Sequence, residues 1–203
     1  MFALFEGVDT SGKTTQIEKL KSVNANIIAT FEPGATKLGK EIRAILLEKE
    51  FKISFKAELL LFLADRAEHY EKIVAPNGNK LVISDRGFVS GIAYALANDK
   101  NLDISFLIEL NRFALGGKMP DKIILLKTTK ELLTSRISAK SHDKIEKRGI
   151  EYLLKVQENM EKVLQKAGVE YIILNAHESI ENLHAQVKKF LKLTNKNIAM
   201  GVR

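Results

Sequence analysis

Gly7-Val8-Asp9-Thr10-Ser11-Gly12-Lys13-Thr14 satisfies the spacing G-x-x-x-x-G-K-[ST] at every fixed position. Phe2-Ala3-Leu4-Phe5 before it is a short apolar run that reads as a buried strand, and Thr15-Gln16-Ile17-Glu18-Lys19-Leu20 after it reads as the start of a helix. That setting gives the pattern its meaning. Gly7 and Gly12 permit backbone angles that a Cβ would block. The loop N–H groups can then turn inward onto phosphate oxygens at the positive end of a helix. Lys13 would reach the terminal phosphates and Thr14 would offer its hydroxyl to Mg²⁺. Asp9, Thr10, Ser11 and Thr15 complete the cradle. The competing reading is a chance glycine-rich turn, and the flanking strand and helix weigh against it.

Working outward, apolar runs recur at Ile27-Ile28-Ala29-Thr30, Leu81-Val82-Ile83, Ile123-Ile124-Leu125-Leu126 and Tyr171-Ile172-Ile173-Leu174. Helical periodicity lies between them: Leu38 to Lys49, a helix capped by Ser54 and running to Ala75, a loop and helix over Gly87 to Asn98, and Ile104 to Leu115. Further helices are expected from Lys130 behind a Thr129 cap, over Ile145 to Lys166, and over Ser179 to Leu193. Leu38, Ile42, Ile45 and Leu46 form one expected core face; Leu59, Leu60, Leu63, Ala67 and Val74 form another. Alternating strands and helices predict an α/β fold, a five-stranded parallel sheet with helices on both faces. A single domain is expected over residues 1–193, with a short mobile lid at about 137–146 and a tail at 194–203.

Ligands of open α/β sheets bind beyond the carboxyl ends of the strands. The run Lys80-Leu81-Val82-Ile83-Ser84 ends in Asp85-Arg86. There Asp85 would organise Mg²⁺, directly or through water, and Arg86 would sit beside a transferred phosphate; a surface ion pair is the alternative. Phe62 and Arg66 lie four apart on one helix flank, where a ring that stacks and a guanidinium that donates would suit a planar, oxygen-rich ring. A core Phe and a surface Arg is the alternative there, and a solvated helix charge is the alternative for Arg43. Arg136, Lys140 and Lys144 are spaced by four and would line one side of a helical flap, or a solvated charged helix.

Composition narrows the classes. No apolar run approaches the length that spans a bilayer, and no signal peptide is visible. With no cysteine, disulfides and thiolate metal sites are excluded, and the expected location is the cytoplasm. The net charge of +7 is spread along the chain without a dense basic block or interleaved aromatics, which disfavours nucleic acid as partner. His69, His142, His177 and His184 lack metal-ligand spacing and read as surface or packing residues. A nucleotide-switched protein is a further possibility, but no Asn-Lys-x-Asp guanine motif is present.

An early phosphate loop, a strand-end Asp-Arg and a basic flap resemble the nucleoside monophosphate kinases. The likeness sharpens to the thymidylate kinases through Phe5-Glu6-Gly7-Val8-Asp9, Glu32-Pro33-Gly34, Glu58 to Arg66, Asp85-Arg86 and Ser90-Gly91-Ile92-Ala93-Tyr94. Looser matches follow at Pro120-Asp121, Asp143-Lys144-Ile145-Glu146 and Leu174-Asn175-Ala176. The resemblance implies transfer of a phosphoryl group from ATP to dTMP with Mg²⁺, in a homodimer; a kinase for another monophosphate or small metabolite is the nearest alternative. It implies that Phe62 stacks on thymine, that Arg66 donates to its carbonyl oxygen and that Tyr94 backs the sugar. Asp9 would accept from the sugar 3′-hydroxyl, Arg43 and Arg86 would clamp the monophosphate, and Ser90 would line the same pocket. Asn175-Ala176 would flank adenine. With Thr10-Ser11 in place of a loop arginine, catalytic charge would come from Arg136, supported by Lys140 and Lys144. Phe31, Gly87 and Ala95 depart from the arginine, aromatic or histidine, and glutamine common at those places in the family.

Overall fold

In a computed structural model, which describes residues 1–137 and 149–193, the strands are Phe2–Glu6 (β1), Ile27–Phe31 (β2), Leu81–Asp85 (β3), Lys122–Lys127 (β4) and Glu170–Asn175 (β5). They form one parallel sheet in the order β2-β3-β1-β4-β5. Each expected strand forms, lengthened by a residue or so at the site end, as with Glu6 and Phe31. The helices are Lys13–Val23 (α1), Lys37–Arg43 (α2), Phe55–His69 (α3), Phe88–Asn98 (α4), Ile104–Ala114 (α5), Lys130–Ile137 (α6), Ile150–Lys166 (α7) and Ile180–Phe190 (α8). The expected lid beyond Ile137, with Lys140 and Lys144, and the expected tail fall outside the described residues, as does the expected start of α7 at Ile145.

Parallel strands covered on both faces are apolar on both faces. Ala3 and Phe5 of β1 pack with Ile83, Ile124 and Leu126 under α1 and α8, through Ile17, Leu20, Leu183 and Val187. Leu4 packs on the opposite face with Val82, Ile123 and Leu125, under Ile92 of α4, Leu107 of α5 and Val156 and Met160 of α7. Among the described residues no helix is long and apolar enough to cross a membrane.

The helix starts nearest the sheet's site end differ from those that are capped. Thr36, Ser54, Asp103 and Ser179 cap α2, α3, α5 and α8, each side chain accepting a backbone N–H of the first turn. Helices α1 and α4, which follow β1 and β3, begin at Gly12 and Gly87 without a side-chain cap or an acidic first turn. Their terminal N–H groups stay available beyond the carboxyl ends of the two central strands.

Two expected core faces are corrected. Leu38 is half exposed, although Ile42 and Leu46 are buried as expected. On α3 and its continuation, Val74 is buried, but Leu60 is 60% exposed and Leu59, Leu63 and Ala67 are partly exposed. The buried side of α3 carries Glu58, Asp65, Arg66 and His69 instead. Apolar periodicity marks the core only where the inward neighbours are apolar; α3 lies against a network of charges that satisfy one another.

Leu125 is fully buried in the central sheet. Leu125→Ala should lower the unfolding free energy by about 2–5 kcal/mol in urea titrations followed by circular dichroism. A loss well below 1 kcal/mol would contradict this packing.

Candidate active site

The loop between β1 and α1 bends through three positive-φ residues: Gly7 (φ 141°), Thr10 (φ 62°) and Gly12 (φ 99°). Gly7 has no room for a side chain, since a Cβ would stand 2.7 Å from the Leu126 carbonyl oxygen. Lys13 folds back over the loop, its Nζ donating to the carbonyls of Gly7 (3.1 Å) and Val8 (3.3 Å), and lies 3.8 Å from Asp85 Oδ1. Burial, and after it the Arg86 guanidinium, pushes the Lys13 ammonium below its ordinary range against the pull of Asp85, Asp9 and Glu6. The ammonium therefore gains from any further negative charge brought to the loop.

Asp85 and Arg86 do not pair with each other as a surface ion pair would. Asp85 Oδ2 accepts from the Thr14 hydroxyl at 3.1 Å. Arg86 takes a left-handed backbone (φ 70°) and turns the other way. It meets Asp9 Oδ1 at 2.6 Å and donates to the Gly7 carbonyl at 2.9 Å and Ser90 Oγ at 3.3 Å. Burial opposes its charge, but Asp9, then Tyr94 and Asp85, raise its pKa, so it is a permanent cation. Ser90 in turn donates to Glu6, a fully buried carboxylate that burial pushes up, with the Ser90 bond and Arg86 opposing.

Two cavities meet over these groups. A cleft of about 890 Å³ is bordered by Asp9, Thr10, Ser11, Gly12, Lys13, Thr14 and Thr15, by Asp85 and Arg136, and by Ala176, Glu178 and Ile180. Arg136, at the end of α6, donates to the Thr10 carbonyl at 2.8 Å. A smaller cavity of about 80 Å³ is bordered by Phe62, Arg66, Ser90 and Tyr94, with Pro33, Leu47, Gly87 and Gly91. Asp9, Glu32, Arg43 and Arg86 border both. Of the expected phosphate-, dTMP- and metal-site residues, together with Arg136, all but Gly7, which shapes the loop from beneath, line one cavity or both. Of the expected adenine-side pair, Ala176 borders the cleft and Asn175 does not.

Arg66 is neither exposed nor free. It is 2% exposed, pairs with Glu32 Oε2 at 2.7 Å and donates to Asn111 Oδ1 at 2.5 Å. Glu32 Oε1 meets His69 Nδ1 at 2.8 Å, and His69 Nε2 meets the Thr30 hydroxyl at 2.8 Å. Burial opposes ionisation of Glu32, but Arg66 and His69 hold its carboxyl below the usual range. Asp65 accepts from the Gly34 N–H at 3.0 Å and so ties the loop after β2 to α3. Burial and the nearby Glu32 charge push its carboxyl up to about 6.

Sequence reasoning missed Glu6, Asp65, His69 and Asn111. His69 had a signal, standing three residues after Arg66 on one flank. Asn111 had a fainter one, a lone amide on the apolar stripe of Leu107 and Ile108.

The thymidylate kinase family model matches residues 5–187. The thymidylate kinase of Campylobacter concisus is 55% identical over 192 residues, 94% of this chain and 98% of that protein. That of Sulfurovum sp. is 53% identical over 95% of this chain and all of its own length. This chain belongs to the thymidylate kinase family. The crystal structure of the Ehrlichia chaffeensis thymidylate kinase, 28% identical, superposes with a TM-score of 0.73 over 95% of this chain and 98% of that one.

One departure from the thymidylate kinase pattern has a local explanation. A Cβ on Gly87 would stand 2.6 Å from Leu4 Cδ1, so the space of a larger residue is filled from β1. Phe31 borders the cleft, partly exposed, and brings no charge. Ala95 is buried on α4. The Thr14 hydroxyl and the Asp85 carboxylate, whose Oδ1 has no hydrogen-bond partner among the described residues, are hard oxygen donors of the kind Mg²⁺ takes, alongside waters and phosphate.

Asp65 gives a pH test. Its folded pKa, about 6, exceeds the ordinary 3.8, so folding favours the protonated form. The stability it contributes is present below about pH 4 and is lost as pH rises through 6. Asp65→Asn keeps an acceptor for Gly34 without titrating. Its melting temperature relative to the parent should climb between pH 4 and 6 and level off above; a flat difference would contradict the assignment.

Proposed function

We propose that the γ-phosphoryl group of ATP passes in line to a phosphate oxygen of dTMP where the two cavities meet, giving ADP and dTDP. The conversion of dTMP to dTDP is the family's reaction and follows from membership in it. The donor, the metal and the residue roles are inferred from what lines each cavity. The observation that carries the reading is the four-residue border, Asp9, Glu32, Arg43 and Arg86, common to both cavities. A triphosphate held by the loop and a monophosphate held under Tyr94 would present their ends to the same residues.

One phosphate oxygen of dTMP attacks the γ-phosphorus while the bond from that phosphorus to the bridging oxygen of ADP breaks. The attacking oxygen is already anionic near neutral pH, the second pKa of a phosphate monoester being about 6, so no strong general base is needed. The reaction needs alignment and relief of repulsion between two anions. Lys13 serves the β- and γ-phosphates from the cradle. Arg86, with Arg43, holds the acceptor phosphate, and Arg136 adds charge at the loop. Thr14 and Asp85 would hold Mg²⁺, which when bound neutralises charge between the β- and γ-phosphates. Phe62 stacks on thymine, Arg66 donates to its carbonyl oxygen, Tyr94 and Ser90 line the sugar side, and Asp9 accepts from the 3′-hydroxyl. Ala176 flanks adenine.

Coupled ADP-release assays over a panel of nucleoside monophosphates test substrate and chemistry together. dTMP should be strongly preferred, and Lys13→Ala should lower turnover at least a hundredfold, roughly the loss seen when a transition-state charge partner is removed. Its circular dichroism spectrum should be unchanged. Near-normal turnover would move the chemistry elsewhere.

The assembly we infer is a homodimer. Helices α3 and α5 pack side by side and expose the large apolar side chains Phe55, Leu60, Phe106 and Phe113, the last 86% exposed, and exposed apolar side chains gathered on neighbouring helices suit association with a second copy. Phe113→Asp should halve the mass measured by sedimentation if this face joins two copies, and an unchanged mass would place the interface elsewhere.

A further inference from the structure

Arg66 is the one guanidinium of the small cavity whose orientation is set from three elements at once. Its NH2 lies 2.7 Å from Glu32 Oε2, beyond the end of β2. Its NH1 donates to Asn111 Oδ1, on α5, at 2.5 Å. Its terminal nitrogens rest against α4 at Gly91, where a Cβ would come within 3.3 Å of NH1 and 3.4 Å of NH2. Glu32 and Gly91 border the cavity; Asn111 does not.

Asn111 is built to act as an acceptor in one direction. It is 1% exposed, and its Nδ2 donates to the Leu107 carbonyl at 2.7 Å. Turning the amide over would set an N–H donor against the guanidinium and an oxygen against a carbonyl oxygen, two repulsions in place of two bonds. The carbonyl is therefore fixed toward Arg66. A guanidinium has five donors in a rigid plane, so fixing one donor on NH1 and the charge of NH2 fixes where the remaining N–H groups point.

We propose that Asn111 is a specificity-determining positioning residue: it holds the Arg66 guanidinium in the plane that donates to an acceptor oxygen on a pyrimidine base and so rejects a base carrying an amino group there. The proposal rests on Arg66 being the donor to the base. Thymine presents a carbonyl oxygen where cytosine presents an amino group, so a fixed donor accepts the first and opposes the second. A buried donor facing another donor leaves both unsatisfied, which is how sites of this kind discriminate strongly. A guanidinium released from Asn111 could turn away from the amino group, and that discrimination would fall.

The test compares steady-state kinetics for dTMP and dCMP, and for ATP, in Asn111→Leu, Asn111→Asp and Arg66→Ala, with thermal melts of each. Asn111→Leu keeps the branching and number of side-chain heavy atoms and has no acceptor. It should raise the KM for dTMP about tenfold, the scale of one hydrogen bond to a charged group, while kcat and the KM for ATP stay within twofold. Its preference for dTMP over dCMP should fall by at least the same factor. Asn111→Asp, which keeps the acceptor, should restore the preference. If Arg66→Ala loses the preference and Asn111→Leu keeps it, the positioning role is overturned while the base assignment stands. If Arg66→Ala keeps the preference, the base assignment itself fails. A lowered melting temperature with unchanged dTMP kinetics would give Asn111 a merely structural role. Should Asn111→Leu not fold, Asn111→Ala is read the same way, and failure of both to fold also overturns the proposal.

Discussion

The site is governed by the cost of placing cations in a protein interior. A buried cation without a partner costs several kcal/mol, so each must bring a carboxylate with it. Lys13 has Asp85 at 3.8 Å, Arg86 has Asp9 at 2.6 Å and Arg66 has Glu32 at 2.7 Å. The acids of this site are thus explained first as partners of its bases. The pairings are unequal in a useful way. Arg86 and Arg66 are closely matched and held in place, whereas Lys13 is the least compensated and is depressed by burial. In the proposed reaction, phosphate oxygens arriving at the loop would supply the counter-charge that Asp85 gives only in part.

The parallel sheet is what brings these pairs together. In parallel strands every carboxyl end emerges on one edge, and the register makes the central ends level: Phe5 stands beside Asp85, Phe31 beside Asp85 and Glu6 beside Leu125. One residue past each end come Gly7, Arg86 and Glu32. The groups that meet at the shared border of the two cavities are therefore delivered by strand register, with Arg43 arriving from α2. The uncapped starts of α1 and α4, at Gly12 and Gly87, belong to the same edge.

Much of this was legible from the chain. Gly7 to Thr14 and Asp85-Arg86 are local patterns whose meaning is set by adjoining strands, and a strand buried on both faces announces itself by composition. What was illegible is pairing across elements. Nothing near Arg66 in sequence shows that Glu32 lies against it from just beyond β2 or that Asn111 reaches it from α5. For the same reason the buried side of α3 was misread: Leu60 and Leu63 carry the periodicity expected of a core, and only the tertiary partners of Asp65, Arg66 and His69 make the charged side the inward one. The expected lid rests on residues 137–146, of which only Ile137 falls among the described residues, so its alignment stands as a sequence expectation.

The departures from the family pattern bear on how charge is shared at the shared border. With Phe31 uncharged at the cleft edge, the guanidinium groups bordering both cavities are Arg43 and Arg86. They differ in freedom. Arg86 is fastened to Asp9, Gly7 and Ser90, whereas the hydrogen bond described for Arg43 is a single one, from NH1 to the Pro33 carbonyl at 2.9 Å. In the proposed reaction, a fixed guanidinium would define where the acceptor phosphate sits, and a less constrained one would follow that phosphate as its charge is redistributed during transfer. Gly87 contributes to the fixed half, because Leu4 occupies the space a side chain there would need and the backbone that carries Arg86 packs directly on β1. Rigidity is thus concentrated on the Arg86 side of the border, and adjustment is left to the Arg43 side.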